Sequence, residues 1–183
     1  MFEIKYRITY DINEIKNWNA EKCYFEGDFE GFFALNFNGN WYGYYHENVL
    51  REGEEGFELI SRWFEDLLRA FINLKNSNYV AVSDIESYNT WFEFRKVNTE
   101  LKVSVIETKD KSGYDSIEEN LFEDSLPTDW GSSVVSFEEF GKELLLKAES
   151  YIKEVEEINS ALVYGKRISQ LIALVEKARG ILS

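Results

Sequence analysis

The chain has 183 residues and a formal charge of −14, from 34 acidic and 20 basic side chains. That field repels phosphate backbones and anionic lipid, so nucleic acid and membrane surfaces are excluded as partners and a basic protein is favoured. Hydrophobic residues at 44% and aromatics at 16% are enough to bury a core, which excludes disorder and fits one domain over residues 1–183.

One cysteine, Cys23, cannot make an internal disulfide, and Met1–Tyr6 alternates instead of forming an apolar signal block. No apolar run approaches the roughly 20 residues that span a bilayer. A cytoplasmic protein of bacterial type is expected.

From the N-terminus, Phe2, Ile4, Tyr6, Ile8 and Tyr10 alternate with polar residues, the period of a strand with one buried face. Phe32–Phe37 and Asn40–Tyr45 are strands around Asn38-Gly39, a pair that accepts the positive φ of a tight hairpin turn. Acids follow at Glu52, Glu54 and Glu55. Phe57, Ile60, Phe64, Leu67, Leu68, Phe71 and Leu74 then recur at helical spacing, with Glu58 and Arg62 placed for a pair on the outer face. Three further strands are expected at Tyr79–Ile85, Thr90–Val97 and Leu101–Thr108, the last two joined at Asn98-Thr99.

Residues 107–129 differ in composition. Eight acids, among them Asp115, Glu118, Glu119, Glu123 and Asp124, accompany two lysines and the single proline, Pro127. The expectation is a long acidic, mobile loop over about 109–133. Ser136 and Glu139 then form a capping box, opening a helix whose stripe is Phe137, Phe140, Leu144, Ala148, Tyr151, Val155 and Ile158. A last helix runs from about Lys166 and carries +3, leaving −17 on residues 1–165.

Motifs for chemistry are sparse. The single histidine, His46, has no recognisable nucleophile partner, and one Cys with one His cannot build a zinc site. Neither phosphate-cradling glycine motif occurs. Asp84-Ile85-Glu86 would point both carboxylates to one side of a strand, where a solvated strand end outweighs a Mg²⁺ or Ca²⁺ site. An aromatic, carboxylate-lined pocket for a small ligand or an enzyme reaction would combine Trp41, Tyr44, His46, Asp84 and Glu86, provided that they converge. No cofactor and no metal is called for.

Gly43–Asn48, Arg62–Leu68 and Asp84–Trp91 together resemble small uncharacterised proteins of Gram-positive bacteria, of the type that serve as immunity proteins to polymorphic toxins. The resemblance covers residues 25–175 and rests on structural aromatics. It implies a cognate toxin as partner and assigns no residue a role.

The expected fold is α+β: an antiparallel sheet of about five to seven strands, one inserted helix, and two C-terminal helices packed on one face. The expected function is a non-catalytic acidic protein that binds a basic partner, in the manner of an immunity protein. Its contact acids would be Glu52, Glu54, Glu55, Asp115, Glu118, Glu119, Glu123 and Asp124. The other two readings are the aromatic pocket and a structural or regulatory adaptor whose acidity serves only solubility.

Overall fold

The computed structural model describes residues 1–109 and 114–182. Its architecture is α+β with antiparallel strands throughout, and the C-terminal helices pack against the sheets, as the sequence pattern indicates. Among the described residues the strands number nine and divide between two sheets.

The first sheet is built on β2 (Glu30–Phe37). β1 (Phe2–Ile8) lies along one side of it; β3 (Asn40–Tyr44) and the two-residue β4 (Glu58–Leu59) follow one another along the other side. The Asn38-Gly39 turn forms as expected, with φ of 55° and 90°. The second sheet runs β8 (Ile117–Glu118), β5 (Tyr79–Ser83), β6 (Thr90–Val97), β7 (Glu100–Glu107), β9 (Leu126–Ser136). The β6–β7 hairpin turns at Asn98-Thr99, with Asn98 at φ 56°.

Side chains, and not ladder bonds, join the two sheets at their facing edges. Asn40 Nδ2 donates to the Trp130 carbonyl (2.9 Å), Trp130 Nε1 to the Trp41 carbonyl (2.9 Å) and Ser133 Oγ to the Phe37 carbonyl (2.8 Å). Backbone groups that would otherwise stand as an open edge are thereby satisfied.

Behind the sheets lie α3 (Ile60–Asn73), α4 (Phe137–Ile158) and α5 (Lys166–Leu182). Trp63 of α3 stacks on Phe33 at 5.5 Å and meets Phe92 edge-on at 5.7 Å, so one indole ties both sheets to one core. α4 begins at the expected cap: Ser136 Oγ accepts from the Glu139 amide at 3.3 Å. The Glu139 carboxylate turns instead to the N-terminal ammonium, 3.5 Å away. α3 and α4 cross closely at Gly141, where a Cβ would stand 2.4 Å from the Phe71 ring.

Several elements depart from the sequence expectation. The helix starts at Ile60, because Glu58 and Leu59 are held extended against Gly31 and Glu30 of β2. Phe57 is therefore 66% exposed and not part of the buried stripe. Two short helices, α1 (Ile12–Lys16) and α2 (Ala20–Phe25), start at side-chain caps: Asp11 accepts from the Asn13 amide and Asn19 from the Lys22 amide, each at 2.8 Å.

The stretch 109–133 is only partly loop. β8 lies within it, and β9 begins at Leu126. β9 pairs with β7 across a register shift near Ile106 and Pro127, where Thr128 Oγ1 supplies the Val105 carbonyl with a partner at 2.9 Å. Residues 114–125 are anchored: Phe122 and Tyr114 contact Trp91 at 4.8 and 5.9 Å, over a small outer core of Tyr79, Ala81 and Ile106. Residues 110–113 of this stretch lie outside the described ones.

Candidate protein-docking face

Residues 45–57 form a strap that folds back over the outer side of the first sheet. Gly56 makes this possible, since a Cβ there would meet the Gly31 backbone at 2.2 Å. Arg7 Nη1 donates to the carbonyls of His46 (3.2 Å) and Asn48 (2.7 Å), and the Gly56 amide donates to Thr9 Oγ1 at 3.0 Å. Within the strap, His46 packs its ring 4.8 Å from Phe32 and 5.5 Å from Tyr44. His46 Nε2 lies 2.8 Å from Glu54 Oε1, while Glu54 Oε2 accepts from the Arg51 amide at 2.9 Å. The Arg51 amide first, and the His46 ring after it, hold the Glu54 carboxyl below its ordinary range. Tyr44, His46, Glu52 and Glu54 line one shallow cleft with Arg51 and Val49.

A second cluster sits where the strap enters α3. Trp63 Nε1 donates to Glu58 Oε2 at 2.6 Å. The hydroxyl of Tyr42 donates to Asp84 Oδ2, and Asp84 Oδ1 accepts from the amides of Glu86 (2.8 Å) and Ser87 (3.2 Å). Asp84 is thus a turn-closing residue after β5, and Asp84–Glu86 does not continue the strand as expected. Burial chiefly, and then repulsion from Asp84 and Glu86, outweigh the Trp63 bond and push Glu58 up to about 7. The same surroundings, with burial foremost, raise the Tyr42 hydroxyl far above its ordinary value.

The five residues considered for a pocket are therefore divided. Tyr44 and His46 belong to the strap cleft, whereas Asp84 and Glu86 belong to the Glu58 cluster. Trp41 lies with Lys5, whose Nζ is 5.4 Å from its ring centre. The expected Glu58–Arg62 helix pair is replaced by the Glu58–Trp63 bond, since Glu58 precedes the helix. No three His, Cys, Asp or Glu side chains among the described residues stand together as a metal site.

The acids of 114–125 form a third group. Glu118, Glu123 and Asp124 line a cleft with Lys109, Tyr114 and Phe122. Asp124 pairs with Lys109 at 3.1 Å, Glu118 Oε1 accepts from the Asp115 amide at 3.1 Å, and Glu119 Oε1 accepts from Asn73 Nδ2 at 3.0 Å. The Ser83 amide donates to the Ser116 carbonyl at 2.8 Å, which places this group directly beyond the Asp84 turn. Strap, Glu58 cluster and acidic segment are thus chained together along the β4–β5 side of the molecule.

Ion pairs are frequent on the helices, although among the described residues Glu21, Glu154 and Glu156 make none there. On α4, Glu138, Glu143, Glu149 and Glu157 pair with Lys142, Lys147, Arg179 and Lys153. Glu65 and Asp28 share Arg167 at 2.7 and 2.9 Å, and Glu14 holds Lys22. Among the described residues, by contrast, Glu52, Glu55, Glu58, Glu86, Asp115, Glu118, Glu119 and Glu123 make no ion pair. Sequence reasoning found most of these acids but missed Glu58, Tyr42, Trp63, Phe57 and Tyr88. The usable signal was a carboxylate directly before an aromatic helix, followed by Asp-x-x-Ser, which closes a turn.

Comparison with protein-family models, with curated proteins and with solved structures gave no match. No helix of the described residues is long and apolar enough to cross a membrane.

Proposed function

We propose that the chain is a non-catalytic acidic binding protein whose ligand is a basic protein, with an immunity protein against a toxin as the specific form of that role. The observation that carries this reading is the run of acids along the strap and residues 114–125 (Glu52, Glu55, Asp115, Glu118, Glu119 and Glu123) that make no ion pair with a described residue, on a chain of net charge −14. A row of unpaired carboxylates raises the encounter rate with a cationic partner, by roughly 10- to 1,000-fold at low salt, and fixes its register. Exposed aromatics on the same side, Tyr44, Phe57 and Tyr88 at 62%, 66% and 75%, are of the residue types that slow dissociation. Resemblance of the Gly43–Asn48 and Asp84–Trp91 segments to immunity proteins points the same way.

The test is calorimetric titration of the purified chain with the product of the neighbouring gene. A stoichiometric complex that weakens with salt, formed with a protein that arrests growth when expressed alone, is the expected result. A neighbour that neither binds nor arrests growth overturns the toxin-specific form of the reading.

A further inference from the structure

We infer that the face carrying Tyr24, Phe25 and Tyr164 is a two-fold interface on which a second copy of this chain docks. It stands apart from the reading of the chain as a binder of basic protein and adds a second partner.

Backbone contacts bring the parts together. Tyr24 and Phe25 end α2, and their rings meet edge-on at 5.1 Å. Gly165 lies so close to α2 that a Cβ there would stand 2.3 Å from the Cys23 carbonyl oxygen. That contact sets the neighbouring residues, Tyr164 and Tyr24, side by side. Phe25 in turn rims a hollow of about 180 Å³ that it shares with Glu26, Lys166 and Gln170. All three rings are at least half exposed. At roughly 150–250 Å² for a whole aromatic side chain, they present on the order of 300–500 Å² to water. That is about half of the roughly 800 Å² that each partner buries in an ordinary specific interface.

Self-complementarity selects the occupant. A two-fold interface presents one patch to itself, so the patch must hold both halves of each contact. Here exposed rings stand beside a hollow large enough for one, since a space of about 150 Å³ takes a benzene ring. Glu26 and Lys166 are both exposed, and neither forms an ion pair with a described residue. A two-fold axis brings Glu26 of one copy to Lys166 of the other. Asp28 and Arg167, at the same hollow, already neutralise one another at 2.9 Å. Over residues 20–28 and 160–170 three acids and three bases cancel, on a chain of net charge −14. Net charge opposes the meeting of two copies, and on this face the repulsion is locally absent. A basic partner would set like charge against Lys166, and an acidic one against Glu26.

The experiment is sedimentation equilibrium of the full chain at physiological salt, from micromolar to millimolar concentration. A monomer–dimer equilibrium is expected. Phe25→Ser with Tyr164→Ser, both at exposed positions, is expected to weaken dimerisation at least tenfold with an unchanged circular dichroism spectrum. Phe57→Ser with Tyr88→Ser, exposed rings outside this face, is expected to weaken it less than twofold. Lys166→Glu is expected to weaken the dimer, and adding Glu26→Lys to restore it. A chain that stays monomeric, a dimer that both ring pairs weaken equally, or a double reversal no tighter than Lys166→Glu alone overturns this interface. Each of those results leaves the basic-partner reading intact, because the measurement contains this chain alone.

Discussion

The indole Nε1–H of Trp63 donates to Glu58 Oε2 across 2.6 Å. The same ring stacks on Phe33 and meets Phe92, the two sheets' contributions to the core. The Glu58 carboxylate is therefore tied directly to the aromatic centre of the fold, and its geometry is set by how α3 is seated.

The Glu58 carboxyl makes stability depend on pH. Burial, reinforced by Asp84 and Glu86, raises it from 4.5 to about 7 in the folded chain, so the folded state binds this proton more tightly than the unfolded state. Its contribution is fully present below 4.5 and is lost as pH rises through about 7. After discounting for partial exposure this amounts to about 1–2 kcal/mol. Burial also raises Asp66 and Glu154, which act in the same sense. Urea midpoints between pH 4.5 and 8 are expected to fall less steeply in Glu58→Gln than in the parent. Parallel curves would assign the slope to other groups.

Gly141→Ala separates helix propensity from packing. Alanine favours an isolated helix by about 1 kcal/mol, but a Cβ at this position would stand 2.4 Å from Phe71. Overpacking of a helix crossing costs roughly 1–3 kcal/mol. Chemical denaturation is expected to show net destabilisation, and a more stable variant would mean that the α3–α4 contact opens freely.

Arg7 pins the strap through two carbonyls, those of His46 and Asn48. Arg7→Ala removes both bonds without touching the inner face of β1. Amide hydrogen exchange at Arg51 and Gly56, which donate to Glu54 and Thr9, is expected to accelerate at least tenfold, with global stability reduced by only about 1–2 kcal/mol. Uniform acceleration across the core would show that the strap is not a separate unit.

Phe122 fastens the acidic segment to Trp91 at 4.8 Å. Phe122→Ala is expected to cost about 1–3 kcal/mol and to shift the Trp91 emission to the red as water reaches the indole. An unchanged emission spectrum would mean that residues 114–125 stay seated without this ring.

The parts of the fold legible in the sequence are those where local chemistry and long-range packing agree. Asn38-Gly39 marks its own turn, and the Phe140–Val155 stripe marks α4, because each pattern is complete within a few residues. β9 was hidden because Pro127, Gly131 and flanking acids are poor strand residues. It pairs only because β7 offers an edge and Thr128 takes the carbonyl left free at the register shift. The acid-rich side was half legible. Acids such as Glu52 and Glu123 stand out in composition, but the inward turn of Glu58 follows from β4 pairing with Gly31, 27 residues away in sequence. Asp84 likewise owes its place to Tyr42, on another sheet.

The most direct test is growth rescue by co-expression with the neighbouring gene product, comparing two neutralised variants of equal charge change. One replaces Glu52, Glu86, Glu119 and Glu123 with glutamine; the other replaces the helix-paired Glu138, Glu143, Glu149 and Glu157. Loss of rescue in the first and retention in the second is expected. Equal rescue by both would contradict the claim that the unpaired acids of the β4–β5 side are the recognition surface.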